Sequence, residues 1–415
     1  MSKIRIRNFG PVKKGYQEND GWIDIKKVTV FIGNQGSGKS TISKLISTFT
    51  WIEKALTRGD YKIKDFTDYN RFRKTYCAYH RIENYFFDLE GNDTPEIEFK
   101  GTSFHFKYIK GSLSVNKLDN KKKYSLPQIM YVPAERNFIA NVKTPKALKL
   151  TSDSLVEFVT EFDNAKNEMK GAMKLPVSNE LYVEYQKLND IVYIKGNDYK
   201  IQLKEASSGI QSIVPLYLVS WFLANSVKKQ SDSSQNMSSE EMERFRKGVE
   251  EIWANDSFTE EQRRVALSVL SSKFKKTAFI NIVEEPEQNL YPSSQREMLY
   301  SLLQFNNMNN PNKLVITTHS PYLINFLTLA IKANTIKRKI KSGGRKIKLN
   351  KIVPLDSTVN PNDIVIYELD EKDGSIFKLG NYEGIPSDKN YLNEQLGFNN
   401  QLYDSLLDIE AEIII

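Results

Sequence analysis

Gly33-Asn34-Gln35-Gly36-Ser37-Gly38-Lys39-Ser40 decides the fold of this chain. It matches G-x-x-x-x-G-K-[ST] and follows a strand-like run, Lys27 to Ile32. A helix-favouring stretch comes next, Thr41 to about Ala55. Glycines let the backbone N–H groups turn inward around a phosphate, and a helix N-terminus adds partial positive charge. In this pattern Lys39 reaches the β- and γ-phosphates of a nucleotide, and the Ser40 hydroxyl ligates Mg²⁺. An α/β fold with a phosphate loop at the rim of its sheet is therefore expected.

A second constellation lies far downstream. The apolar run Ala278 to Val283 ends in Glu284-Glu285-Pro286-Glu287, and Leu314 to Ile316 ends in Thr317-Thr318-His319-Ser320. Two carboxylates and an imidazole at strand ends suit nucleotide hydrolysis: one acid for Mg²⁺, one to polarise water, one ring to meet the terminal phosphate.

Composition suits a large α/β unit. The 415 residues carry 40% hydrophobic side chains, a single cysteine (Cys77) and a net charge of +8. One cysteine argues against a disulfide framework and for a reducing, cytoplasmic setting. No run of eighteen apolar residues is present, so no membrane contact is expected. Residues 1–7 alternate like a strand and lack the apolar core of a signal peptide. The positive charge concentrates between Lys332 and Lys348, where eight basic residues meet no acid. This is a candidate nucleic-acid surface, although such runs also occur on solvated helix ends. The C-terminus mixes Asp404, Asp408, Glu410 and Glu412 with apolar residues, a pattern for a docking segment.

The organisation reads as one α/β head with insertions: β/helical at about 51–125, helical at about 145–190, and helical at about 225–275. The last opens with Ser238-Ser239-Glu240-Glu241 as a helix start, after a low-complexity patch from Ser231 to Ser239. Hairpins are expected around Gly101, around Gly196-Asn197-Asp198, and around Lys372-Asp373-Gly374 in the C-terminal segment of about 350–415. Gln128 to Val132 is a further strand, followed by the polar loop Pro133-Ala134-Glu135-Arg136. Glu205-Ala206-Ser207-Ser208-Gly209-Ile210-Gln211 heads a long apolar helix.

Taken in order, these parts resemble the ABC-type ATPase head, and its SMC, RecF and OLD branch more than the transporters. The resemblance covers most of the chain outside the three insertions. It implies ATP and Mg²⁺ as ligands. Gly33 through Thr41 would cradle the nucleotide, with Lys39 also catalytic, and Ser40 with Glu284 would hold the metal, Glu284 through water. Glu285 matches the catalytic base and His319 the switch histidine. Ser207, Ser208, Gly209 and Gln211 resemble the signature motif, altered from the usual Leu-Ser-Gly-Gly-Gln. Gln128 or Glu135 occupies the sensor-glutamine place near the metal. Glu287 to Pro292 resembles the loop that crosses to a second subunit, so a homodimer or higher homo-oligomer built around ATP is implied.

The wording Tyr-Val-Pro-Ala-Glu-Arg and Val-Glu-Glu-Pro-Glu is similar to ATPase subunits of bacterial anti-phage systems, the PARIS ATPase component and the Septu ATPase. That likeness implies a scaffold or sensor controlling a separate nuclease effector. The rival reading is a RecF- or SMC-like repair ATPase that grips DNA through 332–348. A nuclease within this chain is not expected. The acids of Glu368 to Asp373 read as turn and surface residues on a hairpin, and three histidines with one cysteine do not make a His-Cys metal site.

Overall fold

A computed structural model describes residues 2–88, 90–92, 94–119, 124–142, 152–177, 180–232, 239–271 and 275–413. In chain order, β1 (Ser2–Arg7), β2 (Gly15–Tyr16), β3 (Ile23–Ile25) and β4 (Val28–Gly33) precede α1 (Lys39–Arg58) and the short α2 (Lys64–Thr67). Next come β5 (Glu96–Lys100), β6 (Phe104–Ile109), β7 (Ser112–Lys117) and β8 (Pro127–Val132), then α3 (Asp153–Glu168). A small sheet follows: β9 (Met173–Lys174), β10 (Tyr182–Gln186), β11 (Ile191–Lys195) and β12 (Lys200–Gln202). After it run α4 (Ser208–Asp232), α5 (Ser239–Ala254) and α6 (Glu260–Ser271). The remainder is β13 (Ala278–Glu284), α7 (Pro292–Asn307), β14 (Lys313–Thr318), α8 (Pro321–Lys339), α9 (Gly343–Ile352), β15 (Ile364–Leu369), β16 (Ser375–Lys378) and α10 (Tyr391–Ile413).

The apolar runs assemble into one seven-stranded sheet, in the order β2-β16-β15-β4-β14-β13-β8. The five strands from β15 to β8 are parallel. Parallel strands are covered on both faces, which is why these segments read as unbroken apolar runs rather than alternating ones. Alternate residues divide between two cores. Phe31, Ile280, Ile282 and Val315 join α1 and the β1–β5–β6 lobe, while Val30, Phe279, Val283 and Ile316 join α3, α4, α7 and α8. Glu284 continues the parity of Ile280 and Ile282 and so belongs to the α1 side. Because the strands run the same way, the loops after β4, β13 and β14 emerge at one edge. Glu284 is level with Thr317, and Thr317 with Phe31.

An antiparallel sheet, β3-β1-β5-β6-β7, folds over α1, with Phe49 stacked on Phe72 and Phe99 at 5.2 and 5.4 Å between ring centroids. The helix α4 is long and apolar enough to span a bilayer by composition alone, yet 67% of that window is buried in the protein. It packs against α3, α7 and β13 as a core helix.

One insertion differs from expectation. Among the described residues of 145–190 the α-helix covers only Asp153–Glu168, and Tyr182–Gln186 is instead a strand paired along its length with β11. The β/helical insertion at 51–125 holds the end of α1, stopped by Gly59 at φ 85°, then short helical turns and the strands β5 to β7. The parts of the expected insertions at 89, 93, 120–123, 145–151, 178–179 and 272–274 lie outside the described residues, as do 233–238 of the low-complexity patch, including the expected cap at Ser238.

Candidate functional site

The P-loop leaves β4 through a backbone that only glycine tolerates. Gly33 has φ +143°, and a Cβ there would stand 2.4 Å from the Leu369 carbonyl oxygen of neighbouring β15. At Gly38, φ +99°, a Cβ would stand 2.7 Å from the Val12 side chain, and the residue launches the 20-residue α1. Lys39 folds back over the loop: its ammonium donates to the carbonyls of Gly33 (3.0 Å) and Asn34 (2.7 Å) and to Ser37 Oγ (3.3 Å). Burial pushes Lys39 down to about 8, against the pull of Glu285, Glu287, Glu284 and Glu371. Ser40 is exposed on the first turn of α1, and Thr41 is buried behind it. Gln35 N donates to Asn34 Oδ1, while Gly36 and Ser37 complete the turn.

Across the rim, Glu284 is 5% exposed; its Oε2 accepts from the Ala134 N–H at 3.3 Å, and the Tyr131 hydroxyl lies beside the carboxyl. Its Oε1 is buried without a hydrogen-bond partner among the described residues. A buried carboxylate oxygen left over in this way fits a hard cation, with the hydroxyl of Ser40 as the other ligand of suitable chemistry. Glu285 takes φ +43°, a left-handed backbone uncommon for glutamate. Its carboxylate lies 3.5 Å from His319 Nε2, and that imidazole, above all, holds the carboxyl below the usual range. Glu287 joins the two loops: one oxygen accepts from Thr318 Oγ1 (2.7 Å) and from His319 N (2.8 Å). Burial raises the Glu287 carboxyl.

The structure adds Arg136, which the sequence marks only as part of a polar loop. It is fully buried, and its guanidinium donates to the carbonyls of Pro133, Glu284, Glu285 and Ser212. One cation thus ties the loop after β8, the Glu284-Glu285 backbone and the start of α4. Burial lowers it to about 10, so it stays charged at neutral pH.

The expected signature residues separate. Ser207 and Ser208 are exposed at the head of α4, whereas Gly209 is buried where a Cβ would lie 2.5 Å from the Asn289 carbonyl. The Gln211 amide donates to Lys204 O and Ala206 O and accepts from Asn141, bracing this turn. Gln128 is a correction. It pairs with Phe279 at the start of β13, at the far end of the sheet from Glu284, because a parallel strand delivers only its C-terminal end to the rim. Glu135 does lie at the rim, beside Ala134, and pairs with Arg81 at 3.0 Å.

The hairpin acids are not mere surface. Glu371 accepts from the P-loop Asn34 amide (3.1 Å), and Glu368 accepts from the Tyr391 N–H at the start of α10. In the basic stretch, Lys337 is held by the Leu355 carbonyl, while Lys332, Arg338, Lys339, Lys341, Arg345, Lys346 and Lys348 are exposed. On α10, Phe398, Leu402, Leu406 and Ile409 are exposed at helical spacing.

Residues 257–324, the span holding Glu284, Glu285 and His319, match the family model of an AAA ATPase domain. No curated protein matches the chain. Among solved structures, the SMC head domain from Thermotoga maritima aligns at 9% identity and a TM-score of 0.37, covering 92% of this chain and 98% of that one. The Smc head domain from Pyrococcus furiosus, bound to the C-terminal domain of ScpA, aligns at 10% and 0.36, covering 97% and 100%. The ATP-binding cassette MJ0796, bound to ADP and Pi, aligns at 12% and 0.29, covering 92% and 100%.

Proposed function

We propose that the chain binds Mg·ATP on the P-loop and hydrolyses it. The carrying observation is the convergence of Lys39, Glu284, Glu285 and His319 from three adjacent parallel strands onto one rim. Gly33 through Thr41 would cradle the phosphates, and Lys39 would exchange its backbone acceptors for phosphate oxygens. Ser40 and Glu284 would hold Mg²⁺, which when bound neutralises phosphate charge. Glu285, ionised beside His319, would accept the proton of the attacking water while the imidazole meets the terminal phosphate. The experiment is ATP turnover by the parent, Lys39→Ala and Glu285→Gln. Turnover at the parent rate in both variants would refute the assignment.

The exposed pair Ser207-Ser208 at an α-helix N-terminus supports a composite site, in which a second copy presents these groups to the nucleotide. On that reading ATP is an interfacial ligand, and hydrolysis removes the contact joining two chains. We place the assembly in the cytoplasm, as the sensor or scaffold of an anti-phage complex that controls a separate nuclease. The motif wording and the exposed apolar face of α10, a docking surface of the right character, support this. The exposed cations of 332–348 favour one alternative, a repair ATPase that holds DNA directly. Co-purification of an adjacent-gene nuclease would favour the first; salt-sensitive DNA stimulation of turnover would favour the second.

A further inference from the structure

Behind α1, along β8 from Gln128 to Tyr131, lies a cavity of about 300 Å³ lined by side chains of α1, α3, α6 and β8. Most charge around it is paired. Arg58 meets Asp60, Arg264 meets Asp153, Glu157 accepts from the Tyr79 hydroxyl, and Glu161 accepts from the Asn164 amide. Two ammonium groups differ. Among the described residues, Lys54 and Lys276 line the cavity with no ion pair or hydrogen bond from Nζ. Burial lowers both and the neighbouring Arg58 lowers them further, while Glu161 and Glu157 pull Lys276 up and Glu157 and Asp60 pull Lys54 up. Lys54, Arg58, Arg264 and Lys276 outnumber Asp60, Glu157 and Glu161 on the lining, an excess of positive charge that a bound anion would offset.

The walls are aromatic. Trp51, Tyr61, Tyr76 and Tyr79 line the same space, offering flat faces for stacking. His80 sits among them, 1% exposed, its ring 4.8 Å from that of Tyr79 and 4.6 Å from that of Tyr131. Neither of its nitrogens has a hydrogen-bond partner among the described residues. Burial holds the imidazole neutral, so it presents one N–H donor and one bare acceptor side by side. A buried donor–acceptor pair left unpaired is rare in a finished core.

We infer that this cavity binds a nucleoside monophosphate. The phosphate lies between Lys54 and Lys276, the base stacks on the aromatic wall, and His80 reads its edge. The volume suits a ligand of that size. The same helix that begins at Lys39 and Ser40 carries Trp51 and Lys54 into this wall, so the two sites share one rigid element.

The site is independent of the ATPase reading, and the test keeps the two apart. Calorimetry on full-length Lys39→Ala, in which P-loop binding is removed, uses AMP, GMP, CMP, UMP and inorganic phosphate as separate probes. The expected result is one-to-one binding of at least one of the nucleotides. Lys54→Met and Lys276→Met, each in that background, should weaken it about tenfold or more through loss of a charge-assisted hydrogen bond. Two lysine variants guard against misfolding of either, and thermal melts certify that each is folded. Failure of all four nucleotides to bind would overturn the inference. So would unchanged affinity in both lysine variants, or inorganic phosphate binding as tightly as the nucleotides.

Discussion

Arg136 Nη2 donates to the carbonyl oxygen of Glu285 at 2.6 Å. On the other side, the Glu285 N–H donates to Thr317 O at 2.9 Å, so the strained residue is held from both ends. A left-handed backbone at a non-glycine residue costs about 1–3 kcal/mol and persists only where its surroundings enforce it. Because the same guanidinium holds Ser212 O, a displacement of α4 would be felt at the Glu285 carboxylate.

Arg136→Lys should therefore separate catalysis from binding. A lysine satisfies one of four carbonyls and leaves the rest unpaired inside the protein, a cost of about 3 kcal/mol. We expect kcat to fall roughly 10²-fold, in the range of a misplaced general base, with KM for ATP nearly unchanged. Steady-state kinetics and urea melts read both quantities. An unchanged kcat would show that Glu285 holds its place without Arg136.

Glu285→Gln keeps the shape of the side chain and removes its basicity. Turnover should drop about 10²–10⁴-fold while ATP still binds, so ATP-dependent association becomes long-lived. Sedimentation of this variant with ATP should give a dimer that Ser208→Arg, placed on the exposed head of α4, abolishes. A dimer that forms equally well with Ser208→Arg would remove α4 from the interface.

The P-loop, its helix, the carboxylate pair and the histidine are legible in the sequence because each is a short local pattern at a strand end. The assembly between them is not. The strand β15 inserts beside β4 from more than three hundred residues downstream, and its Leu369 carbonyl is what makes Gly33 obligatory. Nothing local announces such a pairing. Gln128 misleads for the same reason, since a strand is easy to see but its direction in the sheet is not. Arg136 escapes notice because its partners are backbone carbonyls from three separate segments, which leave no residue-type signature.

Lys39 gives a pH signature. Its ammonium is depressed to about 8 from the ordinary 10.5 by burial. The charged form is thus disfavoured in the folded protein. This cost is fully present below about pH 8 and is relieved as pH rises toward 10.5. Phosphate oxygens beside Lys39 restore the charged form. Between about pH 8 and 10, then, nucleotide binding should take up a fraction of a proton and weaken as pH rises. Calorimetry in buffers of different ionisation enthalpy reads this uptake, which should vanish in Lys39→Met. Uptake that persists in the variant would assign the proton elsewhere.

The basic stretch makes the most discriminating prediction. Arg338, Lys339, Arg345 and Lys346 are exposed near the junction of α8 and α9, and among the described residues none is in an ion pair. If they neutralise DNA phosphates, each pairing releases counterions, and the log–log salt slope falls by about 0.9 for every phosphate no longer neutralised. Replacing all four with alanine should flatten the slope by about 3–4 and remove any DNA stimulation of ATP turnover. Basal turnover should stay at the parent level, because the four residues belong to neither the P-loop nor the Glu285 rim. Fluorescence anisotropy of labelled duplex DNA across a salt series makes the measurement. A slope unchanged by the fourfold substitution would leave the stretch as a solvated helix end and favour control of a partner protein over direct DNA binding.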